Sequence, residues 1–573
     1  MEAQKRLKNL IKRRKAMKIK FLLLLCIFSF ATSYGQNKKK TSKNETKKGE
    51  LKVEKKRIGN HGKIISHCMG ITESYGDGFV VAYNSLNARS ILATGGRIFP
   101  HIMHYENFSS LFITRVNSDL SIDSKVKIRN TLLGKKVNYH QLLKVENTFF
   151  VTFTYTNMSA LKTYFFAQKY DAENETFEGN PFKIAELPYE KKRRRDFVGV
   201  TSIYSQNKKC VAICLKKDAN DDYSNPLICV LDKNLQILNY LKPTDQILNG
   251  NKGYFKDILV SDYGDIVVHQ NENYTTKEVK KGRKTKKNGE ISKDLKAAKV
   301  FMVSKEGKFY LYKPETEGNN VAGSLIIKLN EDNTKVLIAG IYSENSNAQG
   351  EFSAVLDMED FEEIKYVQYP FYEEMINSYL TGKEDKEESK KTTTKKSKYL
   401  SDSESPSKKG KSITKSLFIN DAIFEKDSFM YGMYEDIYSV IYTSSNSKGQ
   451  TSSYTVYVYG DMLITRPAEE ERKYTVVRKN QQSRFVNTPH TTSFISKDNS
   501  LVVFLAYTTI GLSSIRPAIL TVDKNDINGV KSFKLLNKEQ PVILTNKFMI
   551  KDTEFFTIKT GYSLEIKKII IKI

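Results

Sequence analysis

Tryptophan is missing from all 573 residues, and cysteine (5) and histidine (7) are scarce. Without indole the strongest aromatic platform for stacking on sugars is absent, so 33 Tyr and 31 Phe supply the aromatic surface. A Lys-, Ile- and Asn-rich chain without Trp fits an AT-rich genome. The few cysteines form no CxxC pair and no zinc-like spacing. Also absent are a GxSxG nucleophile elbow, HExxH, a phosphate-binding GxxxxGK[ST], an EF-hand loop and paired zinc ligands. No catalytic residue, metal or cofactor is assigned on this basis, although a site assembled from residues far apart in sequence would leave no such motif. The apolar run Phe21–Ala31 is about half the length that a bilayer span needs, which excludes a permanent membrane helix there.

That run instead belongs to a leader. Lys18 and Lys20 precede it, and Ser33 and Gly35 follow it ahead of a cut before Gln36, so residues 1–35 read as a secretory signal peptide whose start can be Met17. Cys26 follows Leu25 and lacks the small residue that a lipoprotein signal requires. The chain is expected to be exported, periplasmic or extracellular, and unanchored. After cleavage Cys68, Cys210, Cys214 and Cys229 remain. Cys210 and Cys214 share one predicted strand, too far apart to bridge each other. Cys214 and Cys229 fall on neighbouring predicted strands, where a disulfide and two buried free thiols are both open.

The formal charge of +27 invites a nucleic-acid reading until it is located. Residues 1–36 carry +8, residues 37–57 and 277–299 carry +7 each, and residues 384–415 carry +4, which leaves about +1 elsewhere. Such blocks are ordinarily solvated tails and loops. Export and a near-neutral body argue against nucleic acid.

Eight times a short turn separates two apolar strands, as in Tyr75-Gly-Asp-Gly-Phe79, Ser205-Gln-Asn-Lys-Lys209 and Ser261-Asp-Tyr-Gly-Asp265. Asp, Asn and Gly suit tight hairpin turns. Runs such as VLIAGIY and LVVFLAY are rich in the β-branched and aromatic residues of strands. Third and fourth strands follow in seven units; the eighth ends with the chain after YSLEIKKIIIKI. The spacing predicts an all-β propeller of eight four-stranded blades, with seven as the alternative. Residues 51–58 would then pair with the terminal strand and close the ring, removing two open sheet edges. Residues 36–50 read as a disordered basic tail and 51–573 as a single propeller. Low-complexity insertions fall at about 275–298 and 381–415, and a short helix is expected at 371–380.

In such a blade the first–second and third–fourth turns share one face. The second–third loops and blade-to-blade crossings share the other. The long segments 85–110, 216–225, 270–298, 371–417 and 438–452 fall in the second set, so that face is the expected binding surface. It would carry His101 and His104, and the Lys191, Arg193, Arg194 and Arg195 cluster, which could attract an anionic polymer. The two imidazoles lack a companion pair of ligands, so no metal site is assigned to them. His67, His140, Asp257, Asp421 and His490, with Asn420, fall on or beside predicted innermost strands and are expected to line the axial channel. Two imidazoles meeting a carboxylate there could transfer protons; polar lining bonded to water is the simpler reading.

The blade grammar, the SDYGDIVV-type turn and the leader ending Ser33-Tyr-Gly-Gln36 resemble secreted propeller-like proteins of Bacteroidota. The resemblance is one of pattern across most of the mature chain. The chain departs from Trp-Asp, kelch and Asp-box propellers in lacking their repeat signatures, and no catalytic residue carries over. These readings lead to an exported, non-catalytic binding or scaffold module that recognises an envelope protein or anionic glycan through its loop-rich face. The alternative is a propeller hydrolase or lyase with a site at the channel mouth.

Overall fold

The computed structural model describes residues 51–60, 66–73, 78–86, 108–129, 131–132, 134–188, 199–216, 226–242, 253–272, 298–314, 320–344, 347–373, 375–376, 417–445, 451–467, 473–477, 481–483, 491–495, 501–505, 518–523, 530–534, 548–551, 554–559 and 563–571. These build seven four-stranded sheets, one five-stranded sheet and one small ribbon of two strands. Blade 1 is Ser66–Glu73, Phe79–Leu86, Phe108–Val116 and Ile122–Arg129. Blade 2 is Asn138–Val145, Thr148–Asn157, Lys162–Asp171 and Thr176–Pro188. Blade 3 is Gly199–Tyr204, Cys210–Lys216, Leu227–Asp232 and Ile237–Leu241. Blade 4 is Gly253–Val260, Ile266–Glu272, Lys299–Val303 and Phe309–Tyr312. Blade 5 is Asn320–Leu329, Lys335–Glu344, Asn347–Asp357 and Glu363–Pro370. Blade 6 is Leu417–Glu425, Ser428–Ser445, Thr451–Arg466 and Lys473–Val477, with Gln481–Ser483 added. Blade 7 is Thr491–Ile495, Leu501–Leu505, Ala518–Val522 and Val530–Lys534.

Blade 8 is completed from both ends of the chain. Phe548–Lys551, Glu554–Lys559 and Ser563–Ile571 form three strands, and Leu51–Asn60 supplies the fourth. The register runs antiparallel from Leu51 opposite Ile571 to Asn60 opposite Ser563. First strands adjoin between blades 1 and 2, from blade 3 on to blade 7, and again between blades 8 and 1. They are therefore innermost, and the N-terminal strand completes the last blade where the sequence predicts.

The core lies between blades. Both faces of the sheets in blades 2 to 5 are covered, which explains near-continuous apolar strands such as Cys210–Lys216. Successive apolar clusters fill the gaps between blades 1 and 2, 2 and 3, 3 and 4, 4 and 5, and 5 and 6. Residues alternate between gaps: Val267 and Met302 pack toward blade 5, while Ile266, Val268 and Phe301 pack toward blade 3.

One open question is decided and two sequence expectations change. Cys214 stands opposite Ile228, and Cys229 opposite Ile213. That one-residue offset puts the two cysteines on opposite faces, so no disulfide forms; Cys210, Cys214 and Cys229 are buried free thiols. Segment 438–452, expected as a loop, carries strand up to Ser445 and again from Thr451, because its Tyr, Val and Ile residues favour extended pairing. The expected helix at 371–380 contributes one helical bond among the described residues, Ile376 N to Tyr372 O at 3.0 Å. Phe371, Met375 and Ile376 are buried in the gap between blades 5 and 6. Leu380 and both low-complexity insertions lie outside the described residues.

Candidate functional site

The tight turns do more than reverse the chain. Arg115 of blade 1 donates to Ala172 O of blade 2 (3.1 Å) and pairs with Glu175 (3.6 Å). Glu146 N donates to Lys208 O (2.9 Å), and Lys233 Nζ reaches Glu146 Oε2 (2.7 Å), joining blades 2 and 3. Asn207 donates its N–H (3.1 Å) and Nδ2 (2.7 Å) to Asp262, joining blades 3 and 4. Asp262 N donates to Asn333 Oδ1 (3.1 Å), and Asn333 Nδ2 returns to Asp262 Oδ2 (3.3 Å), joining blades 4 and 5. Lys335 pairs with Asp427, joining blades 5 and 6. One face is thus clasped from blade 1 to blade 6.

Asp262 is the hub. Its side chain is 2% exposed. Burial works against its charge, but hydrogen bonds from Ser205 and Asn207 and the Lys209 ammonium hold the carboxyl below its ordinary range. The turns also place Glu146, Lys208, Asn333, Lys426 and Asp427 at positive φ, between 48° and 60°, besides Gly264 at 102°. The left-handed positions therefore fall partly on Glu and Lys, where tight turns more commonly use Gly or Asn.

The longest connections, 87–107, 273–297 and 377–416, join strand ends on the opposite face. Toward that face the first strands carry β-bulges. The surplus residue is Met69 in blade 1, His140 in blade 2, Lys256 in blade 4 and Asn420 in blade 6; in blade 5 the shift spans residues 322–324. Each bulge sits five or six residues ahead of its turn. A bulge re-aims side chains out of the sheet's alternation, here on the strands that border the axis.

In blade 4, Phe255 stands opposite Gln270 and Asp257 opposite His269, so Lys256 is the unmatched residue. Lys256 is exposed to solvent. Desolvation by neighbouring protein atoms pushes the pKa of its ammonium below the ordinary lysine range, with the Asp257 charge opposing. Asp257 Oδ2 lies 3.4 Å from Nδ1 of His269, whose side chain is fully buried while that of Asp257 is 39% exposed. Gln270, 1% exposed, has neither amide atom in a hydrogen bond.

The other expected lining residues divide. His140 is buried, shares a hydrogen bond with Thr154 Oγ1 (2.9 Å), and its ring centroid lies 5.8 Å from that of Phe165 on its own blade. Asp421 accepts from Lys328 Nζ (2.9 Å), tying the first strands of blades 5 and 6. Its neighbour Asn420 donates to the buried Glu435. His67 lies on the first strand of blade 1. His490, His101, His104, Lys191, Arg193, Arg194 and Arg195 lie outside the described residues. Sequence reading missed Lys256 and His269. Aligning first strands on their turns would have found Lys256, which matches His140 and Asn420 in position. Among the described residues no group of three or more His, Cys, Asp or Glu could hold a metal ion. No helix among them is long and apolar enough to cross a membrane.

No family model and no curated protein matches the chain. Among solved structures it is similar to Drosophila Plexin A in complex with Semaphorin 1b: 8% identity, TM-score 0.31, 92% of this chain and 88% of that chain covered. It is also similar to a europium-containing methanol dehydrogenase (9%, TM-score 0.40, 90% and 93%). A third likeness is to the WD40 domain of SCAP from fission yeast (8%, TM-score 0.25, 91% and 98%). The eight-bladed ring is read from this chain's own strand order.

Proposed function

We propose that this chain is an exported binding or scaffold module, resembling secreted propeller-like proteins of Bacteroidota, whose loop-bearing face recognises an envelope protein or an anionic glycan. The observation that carries this reading is the asymmetry of the ring. One face is clasped turn to turn across six blades. The long connections, with the basic cluster 191–195, belong to the other. A rigid ring with variable loops on one side is a common way to present a binding surface.

Retention of the mature chain on immobilised anionic polysaccharide tests the glycan arm. Replacing Lys191, Lys192, Arg193, Arg194 and Arg195 by Ser should lower the salt needed for elution, because screening weakens such contacts. Capture from envelope fractions with and without residues 381–415 tests the protein arm. The deletion must start beyond Ile376, since Phe371, Met375 and Ile376 belong to the core. Unchanged elution together with unchanged capture would overturn the assignment to this face.

The hydrolase or lyase reading draws support from Asp257 and His269 alone. Two groups meet, but the imidazole is fully buried, which suits it to orienting the carboxylate rather than meeting a substrate.

A further inference from the structure

Beyond recognition by the loops, blade 6 carries an arm of its own. Its second and third strands run to 18 and 16 residues, whereas the longest described second or third strand of another blade has 11. The first strand stops pairing at Leu417, opposite Asp436, and the fourth pairs only with residues 462–466. Past those limits residues 437–445 and 451–459 pair with each other, from Ile437 opposite Tyr459 to Ser445 opposite Thr451. Gln481–Ser483 flanks residues 457–459, and among the described residues no further strand pairs with this ribbon. Nine paired residues on each strand make the ribbon about 30 Å long. A ribbon of two strands is marginally stable in water by itself. Neither strand of the arm contains a charged residue or a proline, the usual guards of an unpaired edge.

We propose that the root of this arm is a dimerisation surface, taken up by the same surface of a second copy of the chain. The register puts Tyr438, Val440 and Tyr442 on one face of the ribbon with Val458, Val456 and Tyr454 opposite them. The other face is mixed: Ser439 stands opposite Tyr457, and Ile441 opposite Thr455. A buried tyrosine covers about 150–250 Å², so three from each copy bury roughly 900–1,500 Å² in total. With the valines added, this reaches the ~1,200–2,000 Å² of a stable interface. Two uncharged, identical faces meet about a two-fold axis without like-charge repulsion. A lipid surface fits less well. The apolar root spans residues 437–442 and 454–459, about 20 Å, whereas a bilayer core is about 30 Å thick. Beyond the root the paired positions are all Ser or Thr, from Thr443 opposite Ser453 to Ser445 opposite Thr451. An anionic polymer finds no cation on either strand of the arm.

The test is analytical ultracentrifugation of the full mature chain over a range of micromolar concentrations. The parent should sediment as a reversible dimer. Val456→Lys, which sets like charges against each other at the centre of the face, should sediment as a monomer with the far-UV circular dichroism of the parent. Tyr438→Ser combined with Tyr442→Ser is the milder variant and adds no charge. It should raise the dimer Kd by about tenfold or more, as truncation of central interface tyrosines does. Ser439→Lys, on the mixed face, should leave the dimer intact. A parent that is monomeric up to its solubility limit overturns the proposal. A dimer that survives both Val456→Lys and the double Ser variant places the interface elsewhere and overturns it equally. A dimer lost to Ser439→Lys but kept by Val456→Lys overturns the choice of face.

Discussion

Replacing Asp262 by Ala removes the hub that joins three blades. Asn207 N–H, on an exposed residue, would lose its bond to the charged carboxylate, at about 1.5–3 kcal/mol for a hydrogen bond to a charged group. The two side-chain amides would lose less. Asn207 Nδ2 keeps Glu331 O at 3.3 Å, and Asn333 Nδ2 keeps the same oxygen at 3.2 Å. Adding about 1 kcal/mol for these weakened bonds gives a total loss of roughly 2.5–4 kcal/mol. Asp262→Asn should cost less, since one oxygen can still accept from Asn207 N–H. Acid separates the two kinds of loss. The folded-state pKa of Asp262 is held below its ordinary value of 3.8. Its carboxylate therefore contributes stability that is fully present above pH 3.8 and is lost as pH falls through the lowered folded value. Urea unfolding midpoints at unchanged slope measure the difference. Wild type and Asp262→Asn should differ by a constant amount between pH 5 and 7 and converge below about pH 3.8. A loss under about 0.5 kcal/mol for Asp262→Ala, typical of an uninvolved surface site, would refute the hub.

Other outcomes follow from packing. Gly264→Ala should destabilise by about 1–2 kcal/mol in the same assay, because φ is 102° and the new Cβ would sit 2.9 Å from Leu238 Cβ; a neutral effect would contradict the turn geometry. Phe352→Ala, at a fully buried site between blades 4 and 5, should cost about 3–5 kcal/mol. Burial pushes the Cys214 and Cys229 thiols up to about 12 and, despite a bond from Ser205, Cys210 up to about 11. Iodoacetamide at pH 8 should leave all three unmodified until the chain is unfolded; rapid native labelling of any one would contradict its placement.

The repeat was legible because it is local. Each turn and its flanking strands fall within a few residues, and period-two pairing needs only those residues. Even the junction of residues 51–58 with the C-terminus could be inferred, since a missing fourth strand at one end matched a spare strand at the other. The clasps were not legible. Asp262 meets Asn207 and Asn333 across 55 and 71 residues, and in sequence all three look like ordinary turn formers. The bulges were hidden for a different reason. A single surplus residue shifts which face each neighbour takes without changing composition, so Asp257 was noticed and the more unusual Lys256 beside it was passed over. The blade 6 strands were cut short because Ser and Thr among their Tyr and Val residues resemble loop composition.

Completion of blade 8 by the N-terminal strand is the claim on which the arrangement of the chain's two ends depends. Lys55 stands opposite Lys567, where paired Cα atoms are about 4.5–5.5 Å apart and within reach of a disulfide. Oxidation of a Lys55→Cys, Lys567→Cys variant should yield an intramolecular 55–567 crosslink in nearly all molecules. A Lys52→Cys, Lys567→Cys variant, out of register by three residues, should yield none. Equal crosslinking of both pairs, or only crosslinks between molecules, would contradict that pairing.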